Sequence, residues 1–291
     1  MRVPLLAAAS LLVSAALVTA QTDRITIRLS PAPNQTVRQR MLMQVDINMA
    51  PEPAATSMPS TAPQHVEMKM TTEVTSAVGP TDAQGHYDAR VTVDTATWTA
   101  AMNGQPMPMP SSPEQAIGTS FTIHLDDQGK MIDADVNGAP QSAAGAVKQM
   151  LTGLMAASEP ITLSIGDTIT LPRVMNLPMP GAGPTGGMAL TGETRYTLTS
   201  ITFDGADRIA HLAVAITANV GGTVAPTAAA SMTTETRTAG EGTIDVNVER
   251  GIVLHNELRM TTDTSMRSQG SPMLPSMQSH GTMTLSVDVI K

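Results

Sequence analysis

Sulfur and imidazole are the side chains of this sequence that first suggest chemistry. Met41-x-Met43, His65-x-x-Met68-x-Met70 and Met107-Pro-Met109 gather thioethers at short spacing, and soft sulfur suits Cu(I). The chain carries 22 methionines against two phenylalanines, so methionine holds places that bulky aromatics usually fill. In an extended strand, residues two apart share a face and residues three apart do not. Met68 and Met70 therefore stand together, while His65 points the other way. A polyproline turn over 106–110 would splay Met107 and Met109 apart. Copper handling by methionine thioethers stays as the alternative reading.

Other constellations are weaker. The six histidines, His65, His86, His124, His211, His255 and His280, show no His-x-His or His-Glu-x-x-His spacing that would put two imidazoles on one metal. Most of them read as solvated strand or turn residues, and no metal ligand set is assigned. Asp126-Asp127 and Asp133-x-Asp135 crowd carboxylates near one turn, without the regular oxygen ligands of a calcium loop. Gly181-Ala182-Gly183-Pro184-Thr185-Gly186 spells a dinucleotide fingerprint. That fingerprint works only between a strand and a helix, and here Pro178-Met179-Pro180 leads in. There is no Gly-x-Ser-x-Gly elbow and no Ser-x-x-Lys to mark an activated serine. The expectation is a non-enzymatic protein without a cofactor.

The elements that would position these residues are strands. Val66 to Ser76 alternates apolar and polar residues, as do Val37 to Met49, Tyr87 to Thr97, Met188 to Leu198, Leu258 to Met266 and Met283 to Val289. Period two means a strand with one wet and one buried face. The first three long segments, joined by turns, predict an antiparallel meander. A hairpin follows over Thr119 to Leu125 and Met131 to Val136, closed by Asp126 to Lys130. Pro140 to Ser158 changes period: Val147, Met150, Leu151, Leu154 and Met155 recur at helical spacing, which predicts the one principal helix. A short strand pair is expected around Ile161 to Leu171, and long strands resume from Met188 to the end. The fold class is mainly β: a long antiparallel, curved sheet or half-barrel of about eleven strands with one principal α-helix. A sheet that long curls to bury its apolar face.

The ends and the charge bound the function. Arg2 precedes an uncharged apolar run ending Val18-Thr19-Ala20, the order of a cleaved signal peptide over 1–20. Residues 21–35 are expected to be a flexible segment, and 36–291 one β-rich domain with two possible halves meeting near 160. Export implies the periplasm or the exterior, with no stable membrane span once the leader is removed. The chain has no cysteine, so core and sheet alone must hold it together. Seventeen Lys and Arg against 25 Asp and Glu give a net charge of -8, which repels a phosphate backbone. Nucleic acid is excluded as a partner. Five aromatic residues in all cannot supply the two aromatic girdles of an outer-membrane barrel.

Methionine has two readings left on such a sheet: a filler of a solid core, or a flexible lining for varied apolar ligands. On the second, Met41, Met43, Met68, Met70, Met260 and Met283 line a cavity or groove. The ligand would be hydrophobic or lipid-like, or the face would meet an envelope protein.

Several words of the sequence also carry a resemblance. Met68-x-Met70-Thr71-Thr72-Glu73, the hairpin Phe121 to Lys130, the alanine-rich helix, and Pro160-Ile161 to Ile165-Gly166-Asp167-Thr168 resemble a family of exported bacterial proteins catalogued as domain of unknown function 6263. Gly240 to Thr243 and Glu249 to Val253 are similar to that family's closing hairpin. The resemblance implies export and no assigned catalytic residue. By fold class and length the chain is also loosely similar to the half-barrels of lipoprotein carriers (LolA/LolB-like), which shield acyl chains under helices.

Overall fold

The computed structural model describes residues 24–28, 30–51, 63–107, 116–137, 160–178, 187–227, 230–269 and 276–290. The expected leader, the segment 140–158 expected to form the principal helix, Met109 and the glycine-rich 181–186 lie outside the described residues.

The alternating segments all form strands. They are β1 (Ile25–Ile27), β2 (Gln35–Pro51), β3 (Gln64–Val78), β4 (Tyr87–Met102), the two-residue β5 (Gln105–Pro106), β6 (Ser120–Leu125) and β7 (Met131–Asn137). The second half adds β8 (Ile161–Leu163), β9 (Thr168–Pro178), β10 (Gly187–Asp204), β11 (Asp207–Thr227), β12 (Ala230–Asn247), β13 (Ile252–Gln269) and β14 (Met277–Val289). Eleven strands pair in the order β7-β6-β4-β3-β2-β14-β13-β12-β11-β10-β9, with β5 beside β4, and every pairing is antiparallel. The two halves of the chain are thus two meanders joined through β2 and β14.

Two expectations are corrected. β8 and β9 do not pair with each other: β8 takes β1 as its partner, and β9 joins the edge of the main sheet through β10. Within residues 21–35, expected to be flexible, Ile25, Ile27 and Ser30 are buried. Ile25 and Ile27 are 1% and 0% exposed and pack with Ile161, Leu163, Tyr196, Leu198, Leu212 and Val214. Three residues are too short to show a period, yet two isoleucines on one face suffice to bury a strand.

The register fixes which residues share a face. Tyr196, Val214, Gly242, Leu258, Leu285, Met43, Met70 and Trp98 are successive partners across eight strands. A second cluster of Val78, Tyr87, Ala89, Ile123 and Leu125 lies on that same face by its pairings. Neighbours in sequence show the sidedness: Leu258 is 8% exposed, while the side chain of Arg259 is 76% exposed.

This apolar face is the inside of a curl. Five strand spacings separate β6 from β13, about 24 Å if the sheet were flat. Yet Ser30 touches the turns beyond both: a β-carbon at Gly129 would collide with its hydroxyl, and one at Gly251 with its carbonyl oxygen. Ala32 N–H donates to Arg250 O at 2.9 Å and Asn34 N–H to Gly79 O at 3.1 Å, so the strap is stitched to three turns. One residue, Ser30, lies against both turns, so the two margins approach each other across it, on the face where Ile25 and Ile27 pack. One end of the sheet is therefore drawn closed around Ile25, Ile27, Ser30 and β8.

Candidate functional site

The six sequence-predicted methionines all stand on the inner face, each half-buried. Met43 and Met70 are direct partners on β2 and β3, and Trp98 on β4 extends the pair. The next row toward the open end runs Ala100, Met68, Val45, Met283, Met260, Gly240, Ile216, Thr194, Leu171. Met41 lies on the row nearer the closed end, beside Thr72 and Val287. Alternating pleats and exact cross-strand pairing thus merge six separated residues into one apolar surface.

Trp98, which the sequence reading did not single out, adds a polar point there. Its indole Nε1 is buried with no hydrogen-bond partner, and such a donor costs free energy unless something accepts from it. A methionine face offers no good acceptor. Further along, Arg173 on β9 occupies the row Met102, Val66, Ile47, Gly281, Thr262, Thr238, Ala218, Gly192, Arg173.

The outer face is of the opposite character. His211, Asp245, His255, Asp288, Arg40 and Glu73 are successive partners across six strands. Within this ladder His211 Nδ1 lies 2.7 Å from Asp245 Oδ1, His255 Nδ1 2.6 Å from Asp288 Oδ1, and Arg40 Nη2 donates to Glu73 Oε1 at 2.7 Å. The Arg40 hydrogen bond, with Arg38 assisting, holds the Glu73 carboxyl below its ordinary value. His124 sits between Asp88 at 2.7 Å and Asp135 at 3.2 Å. Those bonds, Asp135 first, raise its imidazole above the usual histidine value. His280 pairs with Asp263 at 2.7 Å and His65 with Asp46 at 3.1 Å. Five histidines read as solvated are thus engaged with carboxylates, mostly on neighbouring strands, a relation that no linear spacing displays. A lipid-facing barrel wall needs an apolar outward band; this wall carries ion pairs instead.

Metal-binding capacity divides the same way. His65 pairs with Asn48 and faces outward, whereas Met68 pairs with Val45 and faces inward, so imidazole and thioethers do not converge. Asp46, His65 and Glu67 bring ligand atoms within 4.8 Å of one another on the outer face. Asp126, the calcium candidate, spends its Oδ1 on the N–H groups of Gln128 and Lys130 at 3.0 and 2.8 Å, and so serves the turn. No helix among the described residues is long and apolar enough to cross a membrane.

No family model and no curated protein matches the chain. Among solved structures, it is similar to OpdQ of Pseudomonas aeruginosa, at 9% identity and a TM-score of 0.26, over 90% of this chain and 100% of that one. It is similar to the beta domain of the Bordetella autotransporter Brka at 9% identity and a TM-score of 0.20, over 85% and 98%. The translocator domain of the autotransporter NalP from Neisseria meningitidis gives 11% identity and a TM-score of 0.17, over 88% and 89%.

Proposed function

We propose that this chain is an exported, non-enzymatic binding protein of the bacterial envelope, periplasmic or extracellular, that holds a hydrophobic, lipid-like ligand against its inner face. One observation carries the reading: an apolar row that runs unbroken from Trp98 through Met70, Met43, Leu285, Leu258, Gly242, Val214 and Tyr196 to Ile169. Thioethers suit such a surface because unbranched, polarizable side chains adapt to varied apolar shapes. The charged outer wall keeps the exterior in water, and the strap in the closed end gives the curl a floor. The resemblance to the exported family fits this reading and adds no activity to it.

The test is gentle purification of the exported chain followed by native mass spectrometry and lipid extraction. A co-purifying lipid, or saturable uptake of an apolar fluorescent probe, is the expected result. A chain that arrives empty and takes up no apolar probe ends the proposal. The copper alternative would rest on Met43 and Met70 without His65. A Cu(I) competition titration showing only weak surface affinity removes it.

A further inference from the structure

We infer that the ligand of the inner face is a long-chain fatty acid, its carboxylate held by Arg173 and its chain lying along the methionine rows. The inference rests on the proposed function and adds the head group to it. In the four inner-face rows that begin at Ala96, Trp98, Ala100 and Met102, Arg173 is the only charged side chain. Its register partner is Gly192, and Ala218 follows in the row, so little side-chain bulk stands beside it.

Charge on an apolar face is costly unless it is paired. On the outer face, Arg38 and Arg40 pair with Glu73 and Arg259 with Glu257. Arg173 makes a single hydrogen bond, from Nε to the Thr194 hydroxyl at 2.8 Å, and has no carboxylate among the described residues. Thr194 is 1% exposed, so that bond fixes the guanidinium plane from a rigid point. The Nη groups are left as an open fork, which matches the two oxygens of a carboxylate. A short anion would bind there without using the rest of the face. Leu171 and Ile169 on the same strand, then Ile216 and Met260, continue the apolar surface away from the fork. Met260 lies four strand spacings from Arg173, about 19 Å along the sheet, within the reach of a long acyl chain.

The experiment titrates the full exported chain with palmitate, hexadecanol and acetate, using calorimetry or displacement of an apolar probe. The wild type is expected to bind palmitate about tenfold or more tightly than hexadecanol, as fits the loss of a charge-assisted pair, and to show no measurable affinity for acetate. Arg173→Gln should abolish the preference for palmitate over hexadecanol, while Arg173→Lys keeps part of the preference. Equal wild-type affinity for palmitate and hexadecanol, or a preference that survives Arg173→Gln, overturns the head-group assignment and leaves hydrophobic binding standing. Failure of the wild type to bind either long-chain probe overturns the proposed function and this inference with it. The wild-type comparison decides the matter even if a variant folds poorly.

Discussion

Gly129 and Gly251, in turns that belong to β6–β7 and β12–β13, both lie against Ser30, the first at its hydroxyl and the second at its carbonyl oxygen. That contact converts a long twisted sheet into a curl with a closed end, and it gives a sharp stability prediction. Gly251 has φ +62° and faces the Ser30 carbonyl; Gly205 has a similar φ of +63° with nothing near it. Gly205→Ala pays only the left-handed backbone cost, about 1 kcal/mol. Gly251→Ala pays that cost and must also push the strap away, about 2–3 kcal/mol. Thermal melts should show a drop of about 5–10 °C for Gly251→Ala and a clearly smaller one for Gly205→Ala.

The sidedness of β2 predicts how the two faces respond to charge. Met43→Asp places a carboxylate in the middle of the inner row, where it either stays hydrated and repels an apolar ligand or is buried at a cost. Apolar-probe affinity should fall about tenfold or more. Gln44→Asp, one residue on, points outward from an exposed position and should leave affinity within about twofold. Equal effects of the two variants would show that the inner face is not where the probe binds.

The fold was largely legible because period two survives any choice of side chain: β3 falls on Gln64–Val78, where the alternation of methionine, threonine and charge places it. The same rule put Met68 and Met70 together and turned His65 away. Other features could not be read linearly. Asp245 is bonded to His211, 34 residues distant, and His255 to Asp288, 33 distant; only register brings them together. Arg173 sits between Pro172 and Val174 in a stretch with no clear alternation, so neither its strand nor its face showed. β1 offers a single turn of the pleat. What sequence pattern reports well is repeated local geometry, and what it conceals is the pairing of distant strands.

His124 predicts the sign of one pH effect. Its pKa is raised in the fold by Asp135 and Asp88, so its contribution to stability is complete below the unfolded histidine value, near 6.5, and is lost as pH rises through the elevated folded value. Melting temperatures measured from pH 5 to 9 for the wild type and His124→Gln should therefore converge at the alkaline end. The separation at the acidic end should be small, about 1–2 °C, because the pair is partly solvated. A separation that grows with pH would contradict the geometry.

Glu73 should behave in the opposite sense. Arg40, helped by Arg38, depresses its pKa, so the stabilisation exists above the unfolded glutamate value and disappears as pH falls through the lowered folded one. Observed by carboxyl NMR, Arg40→Gln should move the Glu73 titration upward. An unmoved titration would mean that the 2.7 Å contact does not persist in solution.

Residues 25–27 offer the strictest test of the closed end. Ile27 is 0% exposed, pairs with Ile161 and packs in the cluster that holds Leu198 and Leu212. Ile27→Ala removes buried methyl and methylene groups and leaves a cavity, about 2–4 kcal/mol, or about 6–12 °C in a chain of this size. Thr26, between the two isoleucines, points to solvent and shares only a 2.9 Å hydroxyl contact with Thr162. Thr26→Ala should cost about 0.5 kcal/mol or less. A flexible tail would show neither loss, whereas a strand with one face packed on the core makes Ile27 critical and its neighbour dispensable. Because Ile27 packs on strands in the C-terminal half while Ser30 meets turns of both halves, Ile27→Ala should also increase hydrogen exchange at the β6–β7 turn. That response would mark the strap as the element that holds the margin closed.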